Sequence, residues 1–124
     1  MKQNLDFKEK CKIIRRLGKE YKKAKIFTSK PYVNYFMHQG VRENSTDYLG
    51  KNEKDREHYE NLIKLLDMVL GAMDKEYSII LRNDYFESQD SNWWLYYYSR
   101  STYYRLKGRA MDEFMEAMYD LQMV

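Results

Sequence analysis

The stretch Asn92–Phe114, NWWLYYYSRSTYYRLKGRAMDEF, decides how this chain is read. Its first thirteen residues hold seven aromatics, and residues 100–109 then hold four cations and no acid. Aromatics at helical spacing are ordinarily core, so Trp93, Trp94 and Leu95 are expected to help bury the last helix. Ser99 can cap that helix, which is predicted from Arg100 to about Leu121. Along it Tyr103, Leu106, Ala110, Phe114, Ala117 and Leu121 repeat at helical spacing and turn inward.

The outward set is then Arg100, Ser101, Thr102, Tyr104, Arg105, Lys107 and Arg109. It combines cations for phosphate, short hydroxyls and guanidinium groups for base edges, and a tyrosine for backbone or thymine methyl contact. A helix N-terminus, with free N–H groups and a favourable dipole, is a good place to meet phosphate. Acids return only at Asp112 and Glu113, about where a helix docked by its leading end would be leaving a groove. A short helix over NWWLYY capped by Asp90 or Ser91, a tight turn, and a helix with a polar-basic leading end is the plan of a helix-turn-helix.

Working backwards, Asp74 is the expected N-cap of KEYSIILRNDYFE, with Tyr77, Ile80, Leu81 and Tyr85 on one face. A strong helix is predicted from about Glu53, with Tyr59, Leu62, Ile63, Leu66, Val69 and Leu70 as a wide apolar stripe. Turn-forming residues before it mark residues 31–52 as a connection, with one short helical turn near Tyr32–Met37. Residues 7–27 carry the narrow stripe Phe7, Cys11, Ile14, Leu17, Tyr21 and Ala24, with cations around the remaining circumference. Gly18 weakens that helix by about 1 kcal/mol without forbidding it. No strand pattern competes anywhere. The expected fold is all-α: a basic N-terminal helix (1–30), the connection (31–52), and a helical domain (53–124) with a recognition helix over about 100–121.

Charge is uneven. Residues 1–30 hold eleven Lys and Arg against three acids, a local +8 within an overall +3, which leaves −5 for the rest. Such asymmetry points to a polyanion. No segment approaches the roughly 18 apolar residues of a membrane span, and the N-terminus lacks the apolar core of a signal peptide, so a cytoplasmic protein is expected. Cys11 is alone, and with His38 and His58 it cannot build a zinc cluster. Glu76, Asp84 and Glu87 share a helix flank without a nucleophile or paired base. No catalytic residue, metal site or cofactor is expected. Met111, Met115, Met118 and Met123 suit either core packing or a homodimer contact.

The run MDKEYSIILRNDYFE, SNWWLYYY and SRSTYYRLKGRAMDEFMEAM resembles the promoter-reading region-4-type domain of bacterial sigma factors. It is closer to the sigma-like late transcriptional regulators of phages, the ArpU and RinA type. The family's pattern falls on Tyr85, Phe86, Ser99, Ser101, Thr102, Tyr103, Tyr104, Arg105, Lys107, Ala110 and Phe114, and the likeness covers roughly residues 55–120. It implies a regulator that binds double-stranded promoter DNA of a phage or mobile element inside a bacterial host cell. RNA polymerase is a further candidate partner and a homodimer is expected. Two other readings stand beside it: a small DNA-packaging subunit that assembles into rings, and a module whose aromatic surface binds a protein regulator. Sigma-type domains place glycine in the tight turn where this chain has YYY, so a longer or differently shaped turn is expected here. A left-handed tyrosine would cost about 1–2 kcal/mol.

Overall fold

A computed structural model describes residues 5–29, 45–87 and 90–122, which form four α-helices and two short helical pieces, with no strand among them. The helix α1 spans Phe7–Thr28. It opens on a capping box, in which the Asp6 carboxylate accepts from the Glu9 N–H at 2.8 Å and the Glu9 carboxylate accepts from the Asp6 N–H at 3.2 Å. The helix α2 spans Ser45–Ala72 and so begins eight residues before the expected start at Glu53. The roughly 1 kcal/mol that Gly50 costs a helix does not interrupt it. The short turn expected at Tyr32–Met37 lies outside the described residues.

The helix α3 spans Lys75–Leu81, with the Asp74 carboxylate accepting from the Glu76 N–H at 3.0 Å as the cap. It runs on as a π-helical segment, Arg82–Phe86. A single 3₁₀ turn, Trp93–Tyr96, stands where the short helix over NWWLYY was expected. Asp90 prepares it, accepting from the Asn92 N–H on its side chain and from the Trp93 N–H on its carbonyl. The helix α4 spans Arg100–Gln122. No helix among the described residues is long and apolar enough to cross a membrane.

Two cores hold these pieces. The larger joins Ile14 and Tyr21 of α1, Leu66, Val69 and Leu70 of α2, Leu81, Tyr85 and Phe86, and Ala110, Met111 and Phe114 of α4. Each large apolar side chain buried there contributes about 1.5–3 kcal/mol relative to exposure. Met115 and Met118 pack against the same core, so three of the four C-terminal methionines are structural, while Met123 lies outside the described residues. The Cys11 thiol is part of it too, 3.7 Å from the Met111 sulfur. The smaller core is Ile80, Trp93 and Tyr103, flanked by Trp94, Tyr98 and Leu106. It lies under the leading end of α4.

The stripe on α1 packs as expected except at two places. Phe7 stays 43% exposed at the helix start, and Gly18 is buried. A Cβ on Gly18 would lie 2.1 Å from the Tyr85 carbonyl oxygen and 3.2 Å from the Tyr85 Cβ. Gly18 is therefore the point where α1 crosses the π-helical segment backbone to backbone. On the next turn the Tyr21 hydroxyl donates to Asp67 at 2.8 Å, and its ring meets Phe86 edge-on at 5.5 Å. Burial, and then the bond to Asp67, push the Tyr21 phenol up to about 12.

The crossing sets two glycines against each other. Gly18→Ala should lower stability by about 1–3 kcal/mol through overpacking against backbone, despite alanine's better helix propensity. Gly108→Ala, where nothing lies within 4 Å of the added Cβ, should raise it by up to about 1 kcal/mol. Chemical denaturation of both variants measures the contrast. Between pH 10 and about 12 the folded chain keeps a Tyr21 proton that the unfolded chain releases. The stability this phenol contributes is therefore whole below pH 10 and is lost as pH rises through the window. Tyr21→Phe should flatten that part of the pH dependence.

Candidate nucleic-acid interface

Asp84 organises the region around the leading end of α4. The π-helical segment sets its carboxylate facing the smaller core, where its side chain is only 8% exposed. One oxygen accepts from the Trp93 indole N–H at 2.8 Å. The other accepts from the Tyr103 hydroxyl and lies 3.2 Å from the Lys107 ammonium. One carboxylate thus ties together the end of α3, the 3₁₀ turn and two successive turns of α4. Burial, and then the bond to Asp84, hold the Tyr103 phenol well above its usual range.

Aromatic packing completes the clamp. Trp94 stacks on Tyr103 with centroids 4.3 Å apart and planes 7° from parallel, while Trp93 meets the same ring edge-on at 6.3 Å. The Tyr98 hydroxyl donates to Glu76 at 3.0 Å, which fastens the turn to α3. Between the 3₁₀ turn and α4 only residues 97–99 intervene, and Tyr97 takes φ −121°, ψ −26°. Tyr97 is thus outside the left-handed region. The chain makes its turn by dropping two tryptophans onto α4 instead of by a glycine.

Ser99 caps α4 as expected. Its Oγ accepts from the Thr102 N–H at 3.3 Å and donates to the Thr102 Oγ1 at 2.9 Å. The seven residues expected to face outward then separate into two groups. Arg100, Ser101, Tyr104, Arg105 and Arg109 are exposed. Ser101, Arg105 and Arg109 follow one another at intervals of four, as a single stripe, and Arg100 lies over the Tyr104 ring at 5.8 Å. Thr102 is half-buried and engaged in the cap. Lys107 departs from the expectation altogether. Its side chain is 13% exposed, paired with Asp84, and set over the Tyr85 and Tyr103 rings at 4.9 and 5.6 Å. It is a fastening inside the fold and not part of the outer edge.

The acids that follow also have structural partners. Asp112 pairs with Lys10 of α1, and the Glu113 carboxylate accepts from the Asp74 N–H at 2.7 Å. Among the described residues neither carboxylate makes an ion pair with Arg100, Arg105 or Arg109. Among the described residues no group of three His, Cys, Asp or Glu side chains is placed to hold a metal ion. His58 is exposed beside Tyr59, and His38 lies outside the described residues.

Helical spacing alone puts Asp84 on a helix flank and gives it no role. The signal in the sequence is thin: the first of the two acids in RNDYFE, whose three partners lie 9, 19 and 23 residues away. The chain matches no protein-family model, no curated protein and no solved structure.

Asp84→Asn should be strongly destabilising, by about 3–5 kcal/mol, because it leaves the Lys107 charge buried without its partner. Adding Lys107→Met should recover part of that loss, a non-additivity that a double-mutant cycle in denaturant reads directly.

Proposed function

We propose that this protein is a sequence-specific DNA-binding transcription regulator, with α3, the 3₁₀ turn and α4 acting as a helix-turn-helix. The observation that carries the reading is the exposed stripe Ser101, Arg105 and Arg109, with Arg100 and Tyr104 beside it, at the capped N-terminus of α4. Arg105 and Arg109 make no ion pair among the described residues. Arginines left without carboxylate partners at the tip of a helix that the clamp holds rigid are suited to base edges and phosphates. The resemblance to sigma-like phage regulators supports the same assignment and extends it to late-gene control in a phage or mobile element.

In this reading Arg100, Ser101 and Arg105 approach base edges, with Thr102 contributing through whatever its cap leaves accessible. Tyr104 and Arg109 hold the flanking backbone. Lys107 acts indirectly, by fixing the pose of α4. One such helix makes few phosphate contacts, so a second basic element or a dimer is required for useful affinity. The cations of α1, of which Lys8, Lys12 and Arg16 are exposed, supply the first. They would also make binding steeply salt-dependent. A homodimer would supply the second, on a surface other than the buried methionines.

One observation favours a second reading, in which a protein partner is held. Leu95, Tyr96 and Tyr97 are 58%, 86% and 73% exposed in succession on the 3₁₀ turn. Successive exposed apolar side chains of this size suit a protein contact, and RNA polymerase is the partner that fits a promoter-bound regulator.

The test is selection of bound fragments from the source genome at two salt concentrations, followed by binding of the recovered site. Arg100→Ala with Arg105→Ala should cost about 1–3 kcal/mol for each arginine that reads a base. Undiminished affinity for the selected site would remove the reading. Tyr96→Ser with Tyr97→Ser should leave DNA affinity unchanged and abolish partner binding if the second reading is right.

A further inference from the structure

Arg15, Lys19 and Lys22 of α1 stand at intervals of four and three on the helix, so they form one face. That face borders an open cleft of about 350 Å³, whose opposite wall carries Trp94, Tyr104 and Lys107. Gly18 sets the width of the cleft, because it lets α1 lie directly against the Tyr85 backbone. Four cations therefore surround one space. The acid within it, Asp84, is already shared among Trp93, Tyr103 and Lys107. Among the described residues no ion pair reaches Arg15, Lys19 or Lys22. The lining keeps a surplus of three positive charges beside exposed aromatic surface.

Unneutralised cations at this density repel one another, and an anion entering the cleft would relieve that repulsion. The aromatic wall narrows the choice of anion. A flat ring gains by stacking on tryptophan or tyrosine, whereas a bare phosphate gains nothing from the wall. The volume is at the small end of ligand pockets, which run from about 300 to 1,000 Å³, and suits one nucleotide unit. Trp94 already has one face covered by Tyr103, which leaves its remaining surface and Tyr104 to meet a base.

We propose that the cleft between α1 and the leading half of α4 is a nucleotide site, with phosphate held by Arg15, Lys19 and Lys22 and the base against Trp94 and Tyr104. The nucleotide is either free or the exposed unit of a single strand, since the chemistry is common to both. The site uses none of Arg100, Ser101, Arg105 or Arg109 and shares only Tyr104 with the duplex-reading edge, so the arginine variants separate the two.

The experiment is a titration of the full chain followed by tryptophan fluorescence. The probes are inorganic pyrophosphate, nucleoside triphosphates, a six-nucleotide single strand and an acidic hexapeptide. Saturable quenching by triphosphates or the single strand is expected, at least tenfold tighter than by pyrophosphate. The stronger of the two names the source, and either upholds the site. Lys19→Ala with Lys22→Ala should weaken it at least tenfold while leaving the thermal midpoint in place, because both side chains reach solvent. Lys22→Gln alone should weaken it less. Arg105→Ala should leave it unchanged, even where that variant loses duplex binding. No saturable quenching, equal binding of pyrophosphate, stronger binding of the peptide, or indifference to the lysine variants would each overturn the proposal.

Discussion

A buried carboxylate with three donors around it is the constraint from which the rest of this structure follows. Asp84 sits where the end of α3, the 3₁₀ turn and the leading end of α4 meet. The 3₁₀ turn is too short to bury a face of its own, and the leading end of α4 brings a single buried ring, Tyr103, to the smaller core. Hydrogen bonds to a charged acceptor in a largely dry setting are stronger and more directional than contacts between apolar surfaces. Together with Ala110, Met111 and Phe114 in the larger core, they fix the rotation of α4 about its own axis. The π-helical segment has a purpose in this light. Widening the backbone by one residue re-aims the side chain at position 84 toward Trp93 and Tyr103, and such bulges recur where a side chain must be placed out of helical register.

The placing of α1 is the second constraint, and it works through the absence of a side chain. At Gly18 the helix touches the main chain of Tyr85, so Ile14 and Tyr21 reach the larger core on either side of that contact. The ion pair between Lys10 and Asp112 fastens the amino-terminal end of the helix to α4. The Asp67 bond to Tyr21 fastens the middle to α2. A strongly basic helix is thereby held in register against the rest of the fold, and its cations acquire fixed positions instead of forming a diffuse halo.

How far the sequence discloses this depends on whether the determinants are local. The all-α class, the caps at Asp74 and Ser99, and the inward set Tyr103, Leu106 and Ala110 all rest on spacing within one helix, and each is found where the pattern puts it. Lys107 is the instructive exception. By helical spacing it lies on the polar flank, but its charge is drawn inward by Asp84 and the Tyr85 ring, neither of which periodicity along α4 can see, beside the Tyr103 ring one turn earlier. Gly18 fails in the same way. Its propensity cost is visible locally, whereas the backbone it approaches is 67 residues away. The 3₁₀ turn is legible as helical but not as 3₁₀, because the anchoring of Trp93 to Asp84 is again a tertiary matter.

The distribution of partners among the charges of α4 then bears on function. Lys107, Asp112 and Glu113 are each assigned to another element, and all three serve to hold the helix. Among the described residues Arg105 and Arg109 make no ion pair, and Arg100 lies over the Tyr104 ring. Surface pairs contribute so little, about 0–1 kcal/mol, that leaving them unmade costs the fold almost nothing. What remains is a rigid helix tip whose cations are free to meet an external anion. The same logic holds on the other side of Tyr104, where among the described residues the cleft cations of α1 make no ion pair. Tyr104 is the one side chain shared by both surfaces, so any ligand pressed against it from the cleft would bear on the ring over which Arg100 lies.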